Sequence, residues 1–178
     1  MKHFFPLLLL ALGLAAPRLQ AQPGTLDATF NTANNGQNIN GLVHRVAVQP
    51  DNKIIIAGSF TTVYGTARAG LARLNADGTL DASFSPGTGF GSTLNDIFAI
   101  TLQPDGKILV GGRFTTFNGV SRGNILRLNP DGSFDNSFTM GTGFSGQVNC
   151  IVVQTDGNIM VGGGFVTYNG TRRVNRAR

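Results

Sequence analysis

The chain contains no glutamate, no tryptophan and a single cysteine. All nine acidic residues are aspartate, and charged residues make up only 13%. That composition excludes a long-helix or coiled-coil protein, which would be rich in Glu, Lys and Ala. One cysteine rules out an internal disulfide framework and a cysteine-rich zinc site. With His3 in the apolar N-terminus, His44 is the one histidine left for chemistry. General acid–base work therefore falls to aspartate, and only Asp96 lies outside recurring turn motifs. One carboxylate does not make the pair a glycosidase normally needs. What the chain does have is glycine, 25 of 178 residues, and 41% hydrophobic residues, too many for a disordered polymer.

The first residues read as an export signal. Lys2 and His3 precede an apolar run from Phe4 to Ala16, and a small residue follows at Ala21. A basic start, an apolar run of about 7–15 residues and a small residue at the cut describe a secretory signal peptide. A spanning helix needs about 20 apolar residues, so no membrane span is expected. The division is a signal peptide over 1–21 and a repeat region over 22–178, placing the protein outside the cell or at its surface.

The remainder repeats. LDATF at Leu26, LDASF at Leu80 and FDNSF at Phe134 start copies spanning 26–79, 80–133 and 134–178, and the first two share 20 identical residues without gaps. The third is three residues shorter in its first half, so Gly112 and Phe114 recur as Gly163 and Phe165. Each copy predicts four antiparallel strands. In the first, Val46 and Val48, Ile100 and Leu102, or Ile151 and Val153 alternate as in a half-buried strand. QPDN, QPDG or QTDG then supplies a hairpin turn, where Asn or Gly accepts positive φ. The second strand (KIIIAG, KILVGG, NIMVGG) is apolar throughout, as when both faces are covered. LARLN or ILRLN is the third strand, and the LDASF-type segment the fourth.

Four short strands per copy, with glycine where the second strand meets its neighbours (Gly58, Gly111, Gly112 and Gly162 to Gly164), predict an all-β fold of β-propeller blades. A solenoid is the competing architecture, but such repeats are usually shorter, about 20–29 residues in the leucine-rich class. Propellers have about 4–8 blades. Three copies, opening on a fourth-type strand and stopping inside a third-type strand, are expected to form an incomplete propeller, part of a larger one. Self-assembly of two chains into a six-bladed ring is the alternative.

The phrases QPDGKILVGGRFTTFNG and ILRLNPDGSFDNSF resemble the delta-60 repeat family over residues 26–178, with Asn52 and Ala57 departing from glycine in copy one. The resemblance implies a β-propeller from a secreted or surface protein of Bacteroidetes-type bacteria. It implies no reaction and carries over no catalytic residue.

Residues recurring in every copy are expected to serve the blade, and residues occurring once to serve a ligand. Asp27, Asp81 and Asp135 are expected to bond nearby turn amides. Phe30, Phe84 and Phe138 are expected to pack between blades, and Arg73 and Arg127 to line a strand face. GTGFSG over 141–146 matches G-x-G-x-x-G, but the next segment reads as a strand, where a dinucleotide site needs a helix. It reads as a blade-to-blade loop. Asn75, Asp77 and Asp81, like Asn129, Asp131 and Asp135, lack the spacing and the terminal Glu of an EF-hand loop, so no metal site is assigned. Cys150, aligned with Ala99, is expected to be small and buried. His44, Arg45, Tyr64, Asp96 and Arg113 occur once and are the candidates for a ligand-specific surface.

The formal charge of +5 is no nucleic-acid footprint. Without Lys2 and Arg18 it is +3, and without Arg172, Arg173, Arg176 and Arg178 it falls to −1. The expectation is a secreted, non-enzymatic propeller module, structural or binding a protein or glycan partner, with no cofactor. The alternative is the propeller portion of a secreted carbohydrate-active enzyme.

Overall fold

The computed structural model describes residues 27, 29–32, 36–91 and 96–177. The expected signal peptide over 1–21 lies outside them. Among the described residues there is no α-helix, and no helix long and apolar enough to cross a membrane. Blade 1 comprises β1 (Ile39–Val48), β2 (Ile54–Val63), β3 (Thr66–Ala67) and β4 (Leu71–Leu74). Blade 2 comprises β5 (Phe90–Gly91), β6 (Asp96–Leu102), β7 (Ile108–Arg113), β8 (Thr116–Phe117), β9 (Val120–Ser121) and β10 (Ile125–Leu128). Blade 3 comprises β11 (Gln147–Val153), β12 (Ile159–Gly164), β13 (Thr167–Tyr168), β14 (Thr171–Arg172) and β15 (Arg176–Ala177).

In each blade the second long strand is central. The antiparallel orders are β1-β2-β4, β6-β7-β10 and β11-β12-β15. The apolar runs of blades 1 and 2 are covered on both faces, with Ile55, Ala57, Ile108, Leu109 and Val110 fully buried, whereas in NIMVGG only Val161 is buried and Ile159 and Met160 are half-buried. The blades form an open, incomplete propeller.

Three local features differ from expectation. The fourth strand is reduced to one bridge, Leu74↔Leu80 in blade 1 and Leu128↔Phe134 in blade 2. Its successor is an aspartate whose side chain takes the amide two residues on (Ser83 N to Asp81 Oδ1, 2.9 Å), and that local bond competes with a ladder. The QPDN-type turn is also not a two-residue primed turn. Asn52 N donates to Gln49 O at 2.9 Å, and Asn52 alone takes positive φ, so the loop is a three-residue connection with one left-handed residue. True primed turns, with two successive positive φ values, occur at Tyr64-Gly65, Asn118-Gly119 and Asn169-Gly170. They close short hairpins that the strand count missed.

A bulge interrupts the first strand of every blade. Register shifts fall at His44 in β1, Phe98 in β6 and Asn149 in β11. Opposite each stands a glycine. A Cβ on Gly58, Gly112 or Gly163 would lie 2.0–2.2 Å from the facing carbonyl oxygen of Leu42, Asp96 or Gln147. Glycine is what lets the bulged backbone come that close.

Apolar side chains from facing sheets make two junctions. Ile55, Ala57 and Leu71 of blade 1 meet Ile97, Ile108 and Val110 of blade 2. Ala99, Leu109 and Ile125 of blade 2 meet Val148, Ile151 and Val161 of blade 3. Fully burying each such side chain contributes about 1.5–3 kcal/mol. Among the described residues no blade lies against the two outermost faces, and there two expectations fail. Val46 and Val48 are 60% and 61% exposed, whereas their equivalents Ile100 and Leu102 pack into the first junction. Cys150 is exposed, whereas Ala99 is buried, because blade 3 covers Ala99 and nothing among the described residues covers Cys150.

Gly112→Ala is expected to cost about 2 kcal/mol or more, since the methyl meets backbone. Gly164→Ala, which meets only the Gln147 side chain, should stay within about 0.5 kcal/mol in the same urea titration.

Candidate functional site

Two groups of polar residues stand out, one repeated and one not. In the repeated group, Asp81 Oδ2 accepts from Lys53 Nζ and Arg73 Nε, both at 2.7 Å, while Oδ1 accepts from the amide and hydroxyl of Ser83. Arg73 Nη1 also donates to Pro130 O in blade 2 at 2.6 Å, and its guanidinium lies over the Phe84 ring. Phe84 is fully buried against Gly132 of blade 2, and Ser85 N donates to Asp131 O. Asp135, Lys107, Arg127, Ser137 and Phe138 repeat the cluster within blade 2.

The aspartates therefore bond turn amides as expected, and Phe84 packs between blades. The arginines do more than line a face, because they form buried ion pairs and one reaches the next blade. The lysines were missed. Their signal was a shared 54-residue step, with Lys53 and Lys107 recurring alongside the Arg and Asp sets. Burial raises the pKa of the Asp81 carboxyl, but hydrogen bonds from Lys53, Ser83 and Arg73 outweigh it and hold the group well below the usual carboxylate range. For Asp135 the Ser137 hydroxyl lowers the pKa most, burial opposes it, and Lys107 and Arg127 add to the lowering.

The other motifs also resolve into turns. Asp77 and Asp131 accept from Thr79 and Ser133, closing the Asp-Gly loops. The GTGFSG loop joins blades 2 and 3, with Phe144 N donating to Gly123 O and Gly143 N to Asn169 Oδ1.

Of the five single-occurrence residues, the structure brings three together. Asp96 opens β6 and pairs in register with Arg113, the last residue of β7. Arg113 Nη2 donates to Asp96 Oδ2 at 2.7 Å. His44, on the blade 1 bulge, places Nε2 3.9 Å from Asp96 Oδ1 and 3.2 Å from Ser59 Oγ. Its ring lies 5.6 Å from that of Phe98, the bulge residue of blade 2. Sequence position alone did not include Ser59 or Phe98. Arg45 donates to the carbonyl of His44, and Tyr64 lies apart, packed beside Phe60 and Val63.

This cluster spans the blade 1–blade 2 boundary exactly where copies diverge in sequence: Asp96 is replaced by Leu42 and Gln147, Arg113 by Ser59 and Gly164, His44 by Phe98 and Asn149. A serine–histidine–aspartate relay needs the serine and the carboxylate on different ring nitrogens. Here both face Nε2, so the group does not form that relay. It offers guanidinium donors, carboxylate acceptors, an imidazole and an aromatic ring. Among the described residues no cluster of three or more His, Cys, Asp or Glu could hold a metal ion.

The profile of a family described as "Domain of unknown function (DUF5122) beta-propeller" matches residues 49–84, 103–138 and 154–178. The matched stretches hold the Lys–Arg–Asp cluster but omit β1, β6 and β11, where His44 and Asp96 lie. No curated protein matches the chain.

Removing one member of a buried ion cluster leaves the others unpaired, so Asp81→Asn is expected to cost about 3 kcal/mol in chemical denaturation. The folded-state pKa values of Asp81 and Asp135 lie below the ordinary 3.8. Their contribution to stability should be fully present above about pH 5 and be lost as pH falls through 3.8 toward the folded values. A midpoint independent of pH between 5 and 2 would contradict this.

Proposed function

The chain belongs to the DUF5122 β-propeller family, whose profile covers more than half of it, and from that premise we propose that it is a secreted, non-enzymatic propeller module presenting a binding surface to a glycan or protein partner, within a larger ring of blades. The convergence of His44, Asp96, Arg113 and Phe98 at the blade 1–blade 2 boundary carries the reading. Scaffold residues repeat from copy to copy, whereas these differ in every copy while meeting in space.

Their chemistry suits a polar, hydroxyl-rich or acidic ligand. The Arg113 side chain is 45% exposed, and its bond to Asp96 uses Nη2, which leaves further donors for a ligand oxygen. Asp96 can accept from hydroxyls, and a nearby aromatic ring gives a sugar face something to lie against. The basic, apolar and small-residue pattern of Lys2, Phe4 to Ala16 and Ala21 supports export.

Binding of the purified chain to a panel of polysaccharides and surface-protein fractions should yield a ligand whose affinity drops about tenfold in Arg113→Ala, with the melting temperature unchanged. Silence across the panel, or equal binding by Arg113→Ala and Asp96→Asn, would sink the reading.

A further inference from the structure

Each blade runs between two ends. The hairpins closed by Tyr64-Gly65, Asn118-Gly119 and Asn169-Gly170 lie at one, with the His44 cluster, and the QPDN-type and Asp-Gly turns lie at the other. Charge is sorted between them. All nine aspartates are among the described residues, and only Asp96 stands at the hairpin end. Asp51, Asp77, Asp105, Asp131 and Asp156 are exposed on turns at the opposite end, where Lys53 and Lys107 also lie. The hairpin end holds arginine instead: Arg68, Arg113, Arg122, Arg172 and Arg173.

Three of these arginines, Arg68, Arg122 and Arg173, recur in register, one to a blade. Each follows a short hairpin, its amide donating to Thr61 O, Thr115 O or Val166 O across that hairpin. Unlike Arg73 and Arg127, none of the three pairs with a carboxylate among the described residues. Each donates Nη1 to the carbonyl just before it, Ala67 O, Ser121 O or Arg172 O, which fixes the direction of the guanidinium. Arg122 also lies over the Phe134 ring, 4.2 Å from its centroid. The Nε atoms of Arg68 and Arg122 are buried with no acceptor. A partly desolvated cation without an anion is unfavourable, and an anion from outside offsets that cost. Arg68 and Arg122 stay partly exposed although a further blade follows each, so this surface does not depend on either uncovered blade face.

We propose that the hairpin end binds an acidic polysaccharide, a polymer of hydroxyl-bearing sugars with a carboxylate or sulfate at intervals. Successive anionic groups meet the arginines of successive blades, and sugar hydroxyls between them reach Asp96 and Arg113. This rests on the reading of the His44 cluster as a binding surface and names the class of polymer it serves. Guanidinium groups present forked donor pairs that match carboxylate and related oxyanions. A nucleic-acid footprint clusters lysine and arginine along one face, and no described lysine stands at this end. Asp96 accepts readily from a hydroxyl but repels the dense phosphates of a nucleic-acid strand.

Affinity electrophoresis of the purified chain through gels holding alginate, polygalacturonate, a neutral mannan or duplex DNA tests this, with flotation on phosphatidylglycerol vesicles alongside. Alginate or polygalacturonate should bind at least about tenfold more tightly than mannan, and raising NaCl from about 0.05 to about 0.5 M should weaken that binding at least about tenfold. Arg68→Gln with Arg122→Gln should lower the affinity about tenfold at an unchanged melting temperature, and each substitution alone about threefold, which keeps the test open if the double variant loses its fold. Asp105→Asn, which changes the net charge at the opposite end, should alter it less than about twofold. Mannan bound as tightly as the acidic polymers overturns the inference and leaves the broader binding reading standing. DNA or vesicles bound more tightly than either acidic polysaccharide also overturn it. Acidic polymer binding that both arginine variants retain overturns this row as the site. Silence toward every probe overturns the inference, and the reading beneath it falls only if surface-protein fractions are silent too.

Discussion

The outer segment of a blade does not finish its own sheet; it leaves after one bridge and locks onto the turn of the next blade. At the first junction that lock is Asp81 held by Lys53 and Arg73, Arg73 reaching Pro130 O, and Phe84 lying on Gly132 beneath the guanidinium. Three short strands with two apolar faces are not stable alone, so each blade depends on its neighbours, as in other repeat proteins. Burying an aspartate among apolar residues is unfavourable unless it is paired, and two cations and two serine donors offset that cost.

This division of labour separates the repeated from the unrepeated chemistry. Lys, Arg, Asp and Phe at fixed steps hold blade to blade. Glycine opposite each bulge lets the first strand turn a side chain out of the ladder, and bulges commonly re-aim side chains in this way. In blade 1 that side chain is His44, in blade 2 Phe98 and in blade 3 Asn149. The scaffold is therefore constant where blades touch and variable where they present side chains.

Much of this was legible in the sequence. The 54-residue step, the doubly buried second strand and the close-approach glycines all follow from residue type and spacing, because period and backbone freedom are local properties. The Lys53–Arg73–Asp81 cluster was only half legible. Its members lie 20 and 8 residues apart on three different elements, and nothing local says that they converge. All three short hairpins escaped the strand count: tyrosine is an unusual residue at positive φ, which hides Tyr64-Gly65, while Asn118-Gly119 and Asn169-Gly170 carry the usual signal and were overlooked. Cys150 and Val46 were misjudged for a different reason. Strand alternation reports which face a side chain takes, and only the neighbouring blade decides whether that face is covered.

Amide hydrogen exchange on Arg73→Gln beside the parent chain tests the lock most directly, since exchange resolves stability element by element. The account predicts that protection falls at least about tenfold at Ser85 and at the blade 2 turn amides Asn129 and Gly132, while Gln154 and Gly157 of blade 3 keep theirs. Loss confined to blade 1, with Asn129 and Gly132 protected as before, would show that the ion cluster serves its own blade alone and would contradict the account.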